Sequence, residues 1–150
     1  MSSSDVLTQI MMILTQRFGQ RLDQYAFPPP VFTAMKGEFL TYNPENNTLI
    51  VRFPVLESWL NPYGFMQGGM VAAAIDNTIG PLSVLVAPPN VTRHLELKYR
   101  RAVTPESGFV IVTTNLVERD GRWLTFKAVA RDPQGQRLVQ AKAVHWILEV

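Results

Sequence analysis

Residues 61–81 read Asn61-Pro-Tyr-Gly-Phe-Met-Gln-Gly68-Gly69-Met-Val-Ala-Ala-Ala-Ile-Asp76-Asn77-Thr-Ile-Gly-Pro81. A glycine pair opens an apolar helix, and one carboxylate lies about two turns inside it. A helix N-terminus presents unpaired backbone N–H groups and the positive end of the macrodipole. Glycine at that point lets a ligand approach those groups closely. Asp76 stands among Val71, Ala72, Ala73, Ala74, Ile75 and Ile79, where a carboxylate is costly unless it is put to use. Burial there is expected to raise its pKa, towards that of a base working near neutral pH. A carbonyl-polarising end and a base are the two parts an acyl-transfer site needs.

The helix rise sets a constraint on how they combine. At about 1.5 Å per residue, Gly68 and Asp76 stand roughly 12 Å apart along the axis. A general base must lie about 3 Å from its water or substrate. Asp76 is therefore badly placed to serve a carbonyl held at its own helix N-terminus. Either the two features are unrelated, or the Asp of one subunit serves the glycine of another. A two-fold dimer with antiparallel central helices brings them together twice, with one site at each end.

Outward from this helix, the N-terminal side carries Val6, Leu7, Ile10, Ile13, Leu14, Phe18, Leu22 and Tyr25 at helical spacing over residues 5–25. Ser3, Ser4 or Asp5 is placed to cap it, and Pro28-Pro29-Pro30 ends it. Two strand-like runs follow, roughly 32–43 and 48–54, separated by the turn Asn43-Pro44-Glu45-Asn46-Asn47. Beyond the 68–87 helix, stopped at Ala87-Pro88-Pro89-Asn90, the chain reads as strands over 91–101, 108–118, 122–131 and 138–149. Arg119-Asp120-Gly121 and Asp132-Pro133-Gln134-Gly135 are hairpin signals between them. Helix, two strands, long helix, four strands predict a single α+β domain over 1–150, with one antiparallel sheet packed on the central helix.

In the strand after that helix, Leu95, Leu97 and Tyr99 share one face and His94, Glu96 and Lys98 the other. By the same parity Thr92 falls on the solvent face unless a bulge intervenes. His94 and His145 read as strand-surface or interface residues.

Composition narrows the function. Of 150 residues, 47% are apolar and 17% charged, a globular balance. The formal net charge is +2, and the densest basic spot is Lys98 with Arg100 and Arg101, too small a patch for a nucleic-acid surface. It suits a single phosphorylated small molecule. The absence of cysteine excludes disulfides, thiolate nucleophiles and zinc–sulfur sites. The apolar run at residues 70–88 contains Asp76, Asn77 and Pro81, which argues against a membrane span. No basic n-region with a cleavage site opens the chain, so a soluble cytoplasmic protein is the expectation. Neither a G-x-S-x-G elbow nor a dinucleotide-binding glycine pattern occurs.

The run Asn61…Gly64…Gln67-Gly68-Gly69…Asp76 resembles the signature of hotdog-fold acyl-CoA thioesterases of the PaaI-like, 4-hydroxybenzoyl-CoA thioesterase branch, whose pattern is Asn, Gly, His-Gly-Gly and Asp at this spacing. The strand Val91-Thr92-Arg93-His94-Leu95-Glu96-Leu97-Lys98-Tyr99 is similar to the strand that follows in that family. The resemblance implies a hotdog core over about 32–150, an antiparallel sheet wrapped around the long helix, with the 5–25 helix as an addition. It implies hydrolysis of acyl-CoA thioesters by a homodimer or a tetramer of dimers. Coenzyme A is then part of the substrate, and no further cofactor, metal, nucleic acid or membrane is called for. The Gly68 N–H would polarise the thioester carbonyl and Asn61 would help hold it or the attacking water. Asp76 of the partner subunit would be general base or nucleophile, with Thr92 of the partner subunit orienting the water. Gln67 and Gly69 would contact substrate, and Trp59, Tyr63 and Phe65, with Met66, are placed to line an acyl pocket. Arg93, Arg100 and Arg101 are candidates for the coenzyme A phosphates.

Gln67 stands where that family usually has His. Glutamine can hydrogen-bond in its place but does not titrate. This departure motivates an alternative, a non-catalytic acyl-CoA-binding hotdog dimer. The hotdog dehydratases use a His with an acid in a different motif, absent here, and rank last.

Overall fold

The computed structural model describes residues 1–149. The elements are α1 (Ser3–Phe18), α2 (Pro30–Ala34), β1 (Glu38–Asn43), β2 (Thr48–Pro54), α3 (Gly68–Val86), β3 (Asn90–Tyr99), β4 (Phe109–Asp120), β5 (Trp123–Arg131) and β6 (Arg137–Ile147). All six strands form one antiparallel sheet in the order β1-β2-β4-β5-β6-β3. Inward residues alternate along them: Leu49, Val51 and Phe53 on β2, Leu124, Phe126, Ala128 and Ala130 on β5, and Val139, Ala141, Ala143, His145 and Ile147 on β6. Val71, Ala74, Ile75, Thr78, Ile79, Leu82 and Leu85 of α3 meet that face. By length and composition α3 is apolar enough to cross a membrane, but half of it is buried within the fold. The α+β architecture, long central helix and added N-terminal helix are those expected from the sequence.

Three local expectations are corrected. The helix expected over 5–25 stops at Phe18, and Gly19–Gln24 continue as a 3₁₀ turn. Gly19 caps α1 with φ +55, a conformation that ends the helical ladder and that glycine adopts without strain. At the other end the N-cap is Ser2 and not Ser3, Ser4 or Asp5; Asp5 is instead the third helical residue, reciprocating in a capping box, and Val6, Ile10 and Leu14 turn inward. The strand expected from residue 32 begins only at Glu38. Pro30 sets up a short helix instead, because proline's fixed φ suits the first helical turn. Phe32 thereby stacks on Phe39 with ring centroids 4.4 Å apart. Gly37 is required there, since a Cβ would stand 2.7 Å from the Phe32 ring.

β3 is an edge strand, paired only with β6. Its register shifts between Thr92 and His94. That bulge at Arg93 is what the parity of Thr92 required: Thr92 now pairs with the inward His145, and Leu95 and Leu97 continue the inner face opposite Ala143 and Ala141.

Candidate active site

The helix–sheet packing separates two groups of side chains. At the middle of α3, the Asp76 carboxylate accepts a hydrogen bond from Thr92 Oγ1 at 3.4 Å. Thr92 Oγ1 lies 3.2 Å from His145 Nε2, and His145 Nδ1 lies 2.7 Å from Asn90 Oδ1. Asn90 Nδ2 donates to the carbonyls of Pro88 and Ser83, at 2.9 and 3.3 Å. Those two carbonyls fix the orientation of the Asn90 amide, so its oxygen faces His145. His145 therefore carries its proton on Nδ1, and Nε2 is an acceptor. The single Thr92 hydroxyl hydrogen then faces two acceptors, Asp76 and His145.

Burial pushes the Asp76 carboxyl above the usual carboxylate range, partly offset by the Thr92 hydrogen bond. The same cause pulls His145 down to about 4, so it is neutral at physiological pH. His145 is 2% exposed, not a strand-surface residue as its sequence context suggested. Its position on β6, in step with Val139, Ala141 and Ala143, is the available signal. His94 does lie outside, next to Glu96 at 3.4 Å. The Asn77 and Thr78 side chains donate to the carbonyls of Ala73 and Ala74, one turn earlier in α3.

At the start of α3, neither the Gly68 nor the Gly69 N–H has an acceptor among the described residues. The loop before them is folded by Asn61, whose Oδ1 accepts from the Tyr63 and Phe65 N–H groups at 2.9 and 3.1 Å. With its oxygen so engaged, Asn61 has its amide nitrogen left for a ligand. Tyr99 donates from its hydroxyl to the Gly68 carbonyl at 2.6 Å, and its ring packs 3.6 Å from where a Gly68 Cβ would be. That bond polarises the peptide whose N–H belongs to Gly69, strengthening it as a donor. Tyr99 is a residue sequence reasoning missed as functional; its inward parity with Leu95 and Leu97 is the visible signal.

Asn61, Phe65, Met66, Gly68 and Tyr99, with Arg100 and Arg101, line a depression of about 320 Å³. Asp76, Thr92 and His145 line a different one, of about 540 Å³. The two share no residue, so within one chain the donors and the acid do not converge. Of the other sequence candidates, Gln67 is exposed, its side chain making no capping bond, and Tyr63 is 83% exposed. Trp59 packs on the core beneath the loop, where its carbonyl accepts from the Gln67 N–H. Arg93 lines neither depression. Among the described residues, no group of three or more His, Asp or Glu is gathered as a metal site.

This architecture is the hotdog fold. A phenylacetic acid degradation-related protein of Ralstonia eutropha JMP134 is similar with a TM-score of 0.76 at 22% identity, over 87% of this chain and 98% of that one. A mutant of the phenylacetic acid degradation protein PaaI from Thermus thermophilus gives 0.71 at 19% identity, over 80% and 100%. A Streptococcus mutans UA159 protein bound to acetyl-CoA gives 0.68 at 18% identity, over 73% and 86%. No family model matches the chain, and no curated protein matches it in sequence.

Proposed function

We propose that this protein is an acyl-CoA thioesterase that works as a homodimer, each site built from both subunits. The observation that carries the reading is the division of labour on α3. Free N–H donors stand at its start, an acid of raised pKa stands two turns later, and each opens into its own depression. The edge strand β3, with half-buried Leu95 and Leu97 and an unpaired outer side, lies between them and suits a two-fold partner. The acetyl-CoA bound to the Streptococcus mutans protein of like fold supports a coenzyme A thioester as ligand.

In this mechanism Asp76 takes a proton from water as the oxygen attacks the thioester carbonyl carbon. The negative charge that develops on the carbonyl oxygen meets the partner subunit's Gly68 and the partner subunit's Gly69 N–H groups. Collapse breaks the carbon–sulfur bond, the free acid is released, and the proton leaves on the coenzyme A sulfur. No stronger nucleophile is required, because a thioester is already electrophilic.

The polar network accommodates the transferred proton. Once Asp76 is protonated it can donate to Thr92 Oγ1, while Thr92 turns its hydrogen to His145 Nε2. Each acceptor then has a donor. Thr92 is thus the water-orienting residue and His145 the residue that positions it. Arg100 and Arg101, beside the glycine end, supply charge for the coenzyme A phosphates.

The test is thiol release from a panel of aryl- and alkyl-acyl-CoA substrates. Turnover that is lost in Asp76→Asn supports the assignment; unchanged turnover in that variant overturns it. A second reading, acyl-CoA binding without hydrolysis, is favoured by Gln67 at the position where a titratable His is usual. Tight binding with no thiol release on long incubation would establish it instead.

A further inference from the structure

The larger of these two depressions does more than hold Asp76. It runs along the C-terminal half of α3, past Gly80 to Val84, and its opposite wall is α1 and the segment after it, through Leu14, Phe18 and Leu22. Its volume of about 540 Å³ falls in the range of small-molecule sites. Its polar groups are arranged unevenly. Asp76, Thr92, His145 and Asn90 form a hydrogen-bonded string along one side, reaching the Ser83 carbonyl, whereas the α1 side is apolar through Leu14, Phe18 and Leu22. Behind that wall Arg17 donates to the Val84 carbonyl at 2.7 Å, tying α1 to the last turn of α3. The wall is thus anchored, not merely laid over the helix.

We propose that this cavity, walled by the N-terminal segment, is the acyl-chain site and takes a linear saturated acyl group of medium length. The inference rests on the thioesterase reading for the position of the reacting carbonyl, at Asp76. From Asp76 to Val84 the helix rises about 12 Å. An extended chain advances about 1.2 Å per bond, so the cavity admits about eight to ten carbons. Shorter chains leave apolar wall in contact with water, and longer ones run past Val84, the last α3 residue that lines the cavity. Within the cavity, each added methylene improves kcat/KM by about fourfold. Phe65 and Tyr99, near Gly68, line the other depression and do not set chain length.

Gly80 is the control point. A side chain added there meets no atom within 4 Å, so it enters open space and leaves its neighbours in place. Gly80 is about 6 Å along the helix from Asp76, half the length of the cavity. Gly80→Leu should therefore move the preferred chain from about eight to ten carbons down to about four.

The experiment compares kcat/KM for acetyl- to palmitoyl-CoA in the wild type and Gly80→Leu, with circular dichroism to verify the fold. Alongside it, binding of free decanoate is measured by calorimetry in both proteins. A wild-type optimum at eight to ten carbons that shortens in the variant, with decanoate affinity falling at least tenfold, is the expected result. Hydrolysis with a flat or unshifted length profile overturns the inference and leaves the proposed function standing. Decanoate binding that Gly80→Leu weakens, in a protein that hydrolyses no acyl-CoA, keeps the apolar-chain site and overturns the thioesterase reading. If decanoate binds neither protein and the length profile does not shift, the inference is overturned. A folded Gly80→Ala variant with a smaller shift in the same direction guards against misfolding of the leucine variant.

Discussion

At the residue scale, Gly68 and Asp76 make opposite demands on the fold. Gly68 is the first residue of α3, and its N–H has no acceptor among the described residues. Proline is tolerated at that position, and Gln67 before it has φ −55 and ψ 134, a conformation compatible with a following proline. Gly68→Pro should therefore fold with a near-native melting temperature while losing about 10²–10³ in kcat, the usual cost of one oxyanion donor. Asp76→Asn should lower kcat by about 10²–10⁴, as for removal of a general base. The same substitution should raise stability at pH 7 by up to about 1 kcal/mol, because it removes a charge from an apolar site. The sign follows from linkage: in the folded chain Asp76 holds its proton to higher pH than in the unfolded chain. Its burial therefore costs stability at neutral pH, and that cost lifts as pH falls through the raised value. His145 acts the other way. Its folded pKa of about 4 lies below the ordinary 6.5, so the unfolded chain takes up the proton first. Stability drops as pH falls from about 6.5 to about 4. Thermal melts across this window should show the drop, and His145→Phe should flatten it. That variant also leaves Asn90 and Thr92 without their shared partner, at about 1–3 kcal/mol.

At the element scale, α1 is part of the core and not an appendage. Val6, Ile10 and Leu14 are fully buried, and Leu14 also reaches the cavity wall. Leu14→Ala should destabilise by about 2–5 kcal/mol, read as a lower midpoint in urea unfolding with an unchanged slope. The helical spacing of residues 5–18 is visible in the chain, but the break at Gly19 is not, because Leu22 and Tyr25 keep the same period beyond it. The Pro28-Pro29-Pro30 run reads as a terminator in the sequence, while in the fold its last residue starts α2. β3 holds the sharpest example of both kinds of information. Its alternation is legible from Leu95 to Tyr99. The bulge that brings Thr92 inward leaves no mark in composition, since it is selected by pairing with β6.

At the scale of the whole molecule, the proposed mechanism requires the two depressions on opposite parts of α3 to meet across two copies. A dimer joined along the β3 edge should be visible by light scattering at twice the 16.9 kDa chain mass. Mixing Asp76→Asn with Asn61→Ala subunits should then restore activity. Each mixed dimer contains one intact site, so random exchange returns about a quarter of wild-type turnover. No recovery in demonstrated mixed dimers would place both halves of the site in one chain, against the separation of the two depressions.

The chain by itself determined the order of elements, the antiparallel sheet on a long apolar helix, and the Asn61–Gly68–Asp76 spacing. These are local or periodic properties, carried by turn residues, apolar alternation and the constant rise of a helix. Helix rise alone was enough to separate the donors from the acid. Only the tertiary structure decided the rest. Asn90, Thr92 and His145 come together because β3 and β6 pair across more than fifty residues of chain. Tyr99 reaches Gly68, and α1 walls the cavity beyond Asp76, for the same reason. Contacts between distant segments are fixed by packing and register, and no periodicity within a single segment encodes them.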